Sequence, residues 1–436
     1  MPELWELGKR LLGGLRPTPT TPSRGEPAIL TGAQAVAWVE ERVDVQPRPL
    51  AVAVGEAMSG LRASAWLDGP ELAGAHELLA WAAGRSLPLV VHARLRGGPG
   101  HAEACGTGHE GWHAVADAGC VMLMAANAQE ALDLTVVARL VAETTLLPVI
   151  LGQDADQVAD SAQSVQLPED ELLGLLGSPE DEVDCPTAAQ VLFFGRQRRR
   201  LPRWHDLDRP ALHGAAQGRR SWALGAAARE PYLHRPVAGL VARAMLQVGG
   251  LTARRLGALS STGDPNARKV LVAQGSAVEL AAALTPTTPL AVVGVRCFRP
   301  FPSTELRSRL SKHEVLVLER VSGDLARHAP LRREVEGLVH APVGSLFGGA
   351  GGHPLRLADL EAACLQPTKD RAWVGIDFML RSSPHPTQQA HLDALKRAFP
   401  EAAAVPANTP PASAPKGLAL GLPPELVVSA ARLVQM

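Results

Sequence analysis

Aromatic side chains are scarce, at 4% of 436 residues, with a single tyrosine, Tyr232. Core packing therefore falls mostly to alanine, leucine and valine. Cysteine is scarce too, and scattered. Cys105, Cys120, Cys185, Cys297 and Cys364 form no C-x-x-C pair. That argues against a zinc site, and against an iron–sulfur cluster held by this chain alone. Most of these thiols read as small buried hydrophobes. Net charge is nearly absent, at -1, so no global field draws nucleic acid or an anionic membrane. No apolar run reaches membrane-spanning length, and no signal peptide is visible. The expectation is a cytoplasmic protein with neither nucleic acid nor membrane among its partners.

What is present reads as a soluble globular chain, 46% apolar and 20% charged. Its length calls for two or three domains. Residues 1–27 form a leader: a short amphipathic piece, Leu4 to Leu15, then the Pro/Thr stretch RPTPTTPSRGEP, a flexible composition. From Ala28 strands and helices alternate. PLAVAVG (49–55) reads as a strand buried on both faces. GPELAGAHELLAWAAG (69–84) reads as a helix with Gly84 as its C-cap. Strands follow at LPLVVHA (87–93), DAGCVMLMAA (117–126) and LPVILG (147–152). Asn127 with Glu130 predicts a capping box for the intervening helix. The rhythm weakens over 153–256, where acidic loops precede FGRQRRRLPRWHDLDRP. With no aromatic platform beyond Trp204, that arginine run reads as a solvated loop rather than an RNA patch. A helix is predicted over Val237 to Val248. A second α/β unit has strands at 269–275, 290–301 and 314–321. One more apolar stretch (372–380), a helix near 388–398, a Pro/Ala-rich linker and a terminal helix end the chain. The fold class expected is α/β, with two doubly wound parallel-sheet domains and a C-terminal extension.

Several segments resemble one family in order and spacing over roughly 28–386: pyruvate:ferredoxin (flavodoxin) oxidoreductase, within the 2-oxoacid:acceptor oxidoreductases. LPLVVHARLRGGPGHAEACGTGHEGWHAVADAGCVML looks like that family's strand, arginine loop and following strand. NAQEALDLTVVARLVAETTLLPVIL is similar to its next helix and strand. LHGAAQGRRSWALGAAAREPYL (212–233) resembles the inter-domain segment of the pyruvate branch. VLVAQGSAVELAAAL and LAVVGVRCFRPFPSTELRSRL look like the second domain, and WVGIDFMLRSSPHP like the segment after it. The resemblance implies a pyrimidine-binding-like domain over 28–255 with a long connecting segment. A transketolase C-terminal-like domain would cover 256–340 and an extension 341–436. No Gly-Asp-Gly motif and no Gly-x-Gly-x-x-Gly after a strand is present.

The resemblance also assigns roles. Arg96 falls where the family's arginine holds the carboxylate of the 2-oxoacid, a task suited to a guanidinium fork. His101 and His109 match positions that orient substrate or support the loop. Read from the residues alone, the glycines make a turn and these side chains face water. Arg94 is the competing arginine two residues away. A carboxylic acid that activates the aminopyrimidine of thiamine diphosphate is implied, and Glu56 in VAVGEAMSG is its candidate. On the residues alone Glu56 is a surface glutamate at a helix start, favoured by the dipole. The stretch from Glu56 to Gly84 is shorter than the family's by about a helix. If the deletion precedes Glu56, GEAMSG closes a helix and the glutamate has no counterpart. A Tyr-Pro-x-Thr-Pro segment of the family is also missing, with only QPRP (46–49) in its place.

The implied function is an alpha-type subunit of a thiamine-diphosphate-dependent 2-oxoacid:ferredoxin oxidoreductase. It would contribute to oxidative decarboxylation of a pyruvate-like oxoacid to an acyl-CoA. Thiamine diphosphate would be shared with a beta-type subunit, with Mg2+ and Fe–S clusters only on partners. The partners expected are that subunit, a gamma-type acceptor-handling subunit, and ferredoxin or flavodoxin, in a hetero-oligomer. The alternative is a catalytically degenerate scaffold of a redox complex.

Overall fold

The computed structural model describes residues 25, 27–98, 106–204, 219, 221–323, 325–376, 378 and 382–404. His101, Cys105, most of the leader, residues 205–218, and the terminal linker and helix lie outside them. The chain divides into two compact units, Met1–Gly375 and Ile376–Met436. The second unit has helices Pro386–Ala398 and Pro400–Ala404. Among the described residues no helix is long and apolar enough to cross a membrane.

The larger unit holds two six-stranded sheets. The first contains β1 (Pro47–Arg48), β2 (Ala63–Asp68), β3 (Leu89–Leu95), β4 (Val121–Ala125) and β5 (Val149–Asp154). These five are parallel, in the spatial order β4, β5, β3, β2, β1. The second contains β6 (Leu259–Gly263), β7 (Lys269–Ala273), β8 (Leu290–Val295), β10 (Glu314–Glu319), β11 (Val343–Phe347) and β12 (Arg371–Trp373). All are parallel except the edge strand β6, which runs against β8. The short strand β9, Cys297–Arg299, leaves the second sheet directly after β8 and pairs antiparallel with β4 of the first. The run 290–301 is therefore two strands in two sheets. The second sheet also takes in β11 and β12, past residue 340.

Helices cover both faces of the first sheet, as parallel strands buried on two sides require. On one face pack α1 (Gly32–Arg42) and α5 (Ala128–Thr145), sharing Ala35, Val39, Leu132 and Val136 with Val149 and Leu151. On the other face pack α2 (Leu50–Met58), α3 (Gly69–Gly74) and α4 (His76–Gly84). Their core continues through Leu89 and Val91 to Val270 and Val272 of the second sheet. The Asn127 side chain accepts from Glu130 N at 2.8 Å, as the cap predicts, while Glu130 reaches Ala126 N instead of closing the box on Asn127.

One expected element is wrong in kind. The strand read over 49–55 is helix α2. Its buried residues are Leu50, Ala53, Val54 and Ala57, the i, i+3, i+4, i+7 spacing of a helix face. The alternation of alanine and valine imitated a strand period, an ambiguity inherent in short apolar runs. The first long strand is ASAWLD, β2, which follows that helix.

Candidate functional site at the carboxyl ends of the first sheet

Strand β3 ends in Arg94, Leu95 and then Arg96. Leu95 is buried, so the strand period puts both arginines on the opposite face, reaching solvent at the strand's end. The β2–β3 register pairs Asp68 with Arg94. Asp68 therefore arrives at the same strand end as the arginines. Its Oδ2 accepts from Arg96 Nε at 2.6 Å, and its Oδ1 lies 3.5 Å from Arg94 Nη1. Arg94 is held in turn by Asp160, with Nε at 3.0 Å from both carboxylate oxygens. All four side chains keep contact with water: Arg96 is 26% exposed, Asp68 29%, Arg94 30% and Asp160 44%.

Beyond Arg96 the chain returns alongside itself. Arg96 bridges Thr107, and Gly97 N donates to Gly106 O at 2.7 Å. This ribbon delivers His109 to a second, buried cluster. His109 Nε2 lies 2.7 Å from Asp154 Oδ1, at the end of β5. Asp154 Oδ2 accepts from Arg320 Nη1 at 2.7 Å and from Ser276 N at 2.8 Å. Arg320 follows β10 and also donates to Gly349 O, so this cluster ties the carboxyl ends of both sheets together. Burial would raise the Asp154 carboxyl, but Arg320 and His109 outweigh it and hold the group below the usual carboxylate range. Gly275 has φ +61°, and a Cβ there would lie 2.6 Å from the Asp154 carboxylate. Only glycine permits that approach.

Glu56 is elsewhere. It sits in the last turn of α2, where Leu61 N donates to its carbonyl just before β2 begins. That is the amino end of the sheet, opposite Arg96. Its carboxylate faces Arg48 Nε at 3.3 Å, partly in water. Glu56 and Arg96 thus stand at opposite ends of the sheet, because the segment carrying Glu56 is a returning helix. The described residues thus join Arg96 with Asp68 and Arg94, and His109 with Asp154, Ser276 and Arg320. Asp68, Asp154 and Arg320 were not singled out in the sequence. Each stands at or just after the end of an apolar strand, a signal available for Asp154 after LPVILG and for Arg320 after EVLVLE.

Comparison with known proteins agrees with this architecture. The family described as "Pyruvate flavodoxin/ferredoxin oxidoreductase, thiamine diP-bdg" (thiamine diphosphate-binding) matches residues 49–204. The pyruvate:ferredoxin oxidoreductase of Moorella thermoacetica is 28% identical over 261 residues, covering 58% of this chain and 21% of that protein. A probable pyruvate-flavodoxin oxidoreductase of Escherichia coli is 27% identical over 264 residues, with the same coverage. The chain thus spans about a fifth of the length of these relatives. Among solved structures, a 2-oxoglutarate:ferredoxin oxidoreductase from Magnetococcus marinus superposes with a TM-score of 0.55 at 15% identity. It covers 83% of this chain and 69% of that one. Fold and matches together show an α/β protein whose residues 49–204 are similar to that thiamine-diphosphate-binding domain family. Over those segments the chain is similar to members of the 2-oxoacid:acceptor oxidoreductases.

Proposed function

We propose that this chain is a structural, non-catalytic alpha-type subunit of a 2-oxoacid:ferredoxin oxidoreductase assembly. The observation that carries this reading is the position of Glu56 on α2, at the amino end of the sheet and paired with Arg48. Thiamine diphosphate needs a carboxyl at the cleft to activate its pyrimidine ring. Asp68 is instead tied to two guanidiniums, and Asp154 is enclosed by Arg320 and His109. Neither of these two carboxylates is free to take the pyrimidine end of the cofactor. The cofactor, Mg2+ and Fe–S clusters would belong to a beta-type subunit and a gamma-type acceptor-handling subunit, with ferredoxin or flavodoxin as electron carrier, in the cytoplasm. Each sheet with its helices would be a domain of its own within this subunit. The helix Trp222–Arg229 supports a partnered state. It buries none of its residues and exposes Trp222 and Leu224, and an eight-residue helix in water is marginal without cover.

A second reading keeps the chain catalytic, with Arg96 as the substrate arginine. The specific observation in its favour is that Arg96 stands at the carboxyl end of a parallel strand, where ligands of such sheets bind. One experiment separates the two. The assembly is purified from its native host through a tag on this chain, and oxoacid- and CoA-dependent reduction of a viologen dye is measured. The structural reading expects co-purifying subunits and kinetics unchanged by Arg96→Ala or Glu56→Gln. A tenfold or greater rise in the oxoacid KM with Arg96→Ala in an intact assembly overturns it.

A further inference from the structure

We infer that Asp68 is a built-in carboxylate ligand that holds the Nε edge of the Arg96 guanidinium and keeps small carboxylate anions out of this strand-end site. The inference rests on the family reading above only for the kind of anion tested. Its physical basis is the placement of Asp68. A guanidinium at the open end of a strand is a ready receptor for a carboxylate, and Arg96 already holds one, at 2.6 Å. Three features hold the backbone that presents that carboxylate. The β2–β3 ladder runs in register through Asp68 itself. Asp68 N donates to Glu71 Oε2 at 2.9 Å, anchoring the residue at the start of α3. Gly69 then packs so tightly that a Cβ on it would lie 2.4 Å from Arg96 O. The backbone of Asp68 is therefore held beside Arg96, while the side-chain pair itself remains free to exchange.

A group held this way competes as an intramolecular ligand. Its effective concentration is millimolar or above even for flexible tethers, and higher for an oriented one. A free oxoacid makes one comparable contact and must displace it. The pair is nonetheless partly in water, where ion pairs add little to stability, so the gain expected on removing the charge of Asp68 comes from the freed guanidinium and from the lost repulsion between Asp68 and an incoming anion together. Removing the charge of Asp68 should therefore open the site without unfolding it. Arg94 also loses its second carboxylate but keeps Asp160, so the opened site gains net positive charge from Arg96 alone.

The test uses the purified full-length chain without partners, so its outcome is independent of whether the assembly is catalytic. Pyruvate, 2-oxoglutarate and acetate are titrated by saturation-transfer NMR into wild type, Asp68→Asn, and Asp68→Asn with Arg96→Ala. Asparagine preserves the start of α3, and thermal melts establish that each variant is folded. The expected result is binding at least tenfold tighter in Asp68→Asn than in wild type, returning to the wild-type level in the double variant. A folded Asp68→Asn that binds no better than wild type overturns the inference. So does a double variant that binds as well as the single one, since Arg96 is then not the seat. Should Asp68→Asn fold poorly, Asp68→Ser is the replacement and the same outcomes decide. Tighter binding in Asp68→Asn together with a catalytic wild-type assembly would refute the structural reading and leave this inference standing.

Discussion

Two charge clusters grow from neighbouring strand ends of the same sheet, and they are built on different terms. At the end of β3, Arg94 and Arg96 meet Asp160 and Asp68 with a quarter or more of each side chain in water. At the end of β5, Asp154 meets Arg320, His109 and Ser276 with almost none. Each exposed ion pair is a small net interaction, because water and salt compete for it. In the buried cluster every lone partner would be left in a low dielectric, so loss of one member is costly even where the set as a whole gains little. The chain has thus placed its permanent charge network at the joint of two sheets, and left the end of β3 with pairs that can be exchanged.

The sharpest way to break this contrast is to remove Asp154. Asp154→Ala strands Arg320 and removes the bond from Ser276 N. The expected loss is about 3–5 kcal/mol of stability, read as the shift of the urea midpoint at pH 7. A loss below roughly 1 kcal/mol would place this cluster with ordinary surface pairs and erase the distinction.

A pH titration sharpens it from another side. Glu319, at the end of β10, accepts the backbone N–H groups of Arg332 and Leu331, yet burial pushes its carboxyl up to about 7. Its folded value lies above the unfolded one. The folded chain thus holds a proton that the unfolded chain releases, and stability falls as pH rises from about 4.5 to about 7, then levels. The integrated penalty is on the order of 3 kcal/mol. Asp154 has the opposite sign, its support fading as pH drops below the normal carboxylate range. Glu319→Gln should flatten the decline between pH 5 and 7 while leaving the acid side unchanged. A variant whose melting profile keeps the wild-type slope across that window refutes the assignment.

Much of this organisation is legible in the sequence. Apolar runs of the right length, bounded by Asn127 and by glycines, marked β3, β4, β5 and α5, because buried parallel strands need little but valine, leucine and alanine. The arginine loop was legible as chemistry for the same reason: polar groups after a buried run must emerge somewhere. Residues 49–55 were not, since Ala-Val-Ala-Val satisfies both a strand and a helix period, and only packing against Leu89 and Val91 decides. The partners of the key residues were not legible either. Asp68 reaches Arg96 across 28 positions and Arg320 reaches Asp154 across 166, and no local pattern encodes such pairings. The crossing of β9 into the first sheet belongs with these, because Cys297–Arg299 reads as a continuation of its own strand.

Asp68→Asn should cost little stability. The pair with Arg96 is partly exposed, and an asparagine can still accept at the start of α3, so the expected change is within about 1 kcal/mol. A larger loss in the urea midpoint would mean that the strand end is rigidly built rather than exchangeable, and would move this pair toward the Asp154 class.

The smallest effect is expected at Glu56, and it bears most directly on function. Glu56 is partly exposed in the last turn of α2, and its ion pair joins it to Arg48, a residue itself nearly half exposed. Glu56→Gln should shift stability by no more than about 0.5 kcal/mol, and the shift should shrink further in high salt because the pair is screened. In the native assembly the same variant should leave oxoacid turnover, where there is any, within twofold. An acid that activates a cofactor behaves otherwise: its amide keeps the shape and hydrogen-bonding size but cannot exchange a proton, and such losses typically run to 10²–10⁴-fold. A fall of that size with an unchanged melt would make Glu56 a reacting group despite its place at the amino end of the sheet. It would then require α2 to be rebuilt on assembly, since no movement of a side chain alone carries Glu56 from one end of β2 to the other.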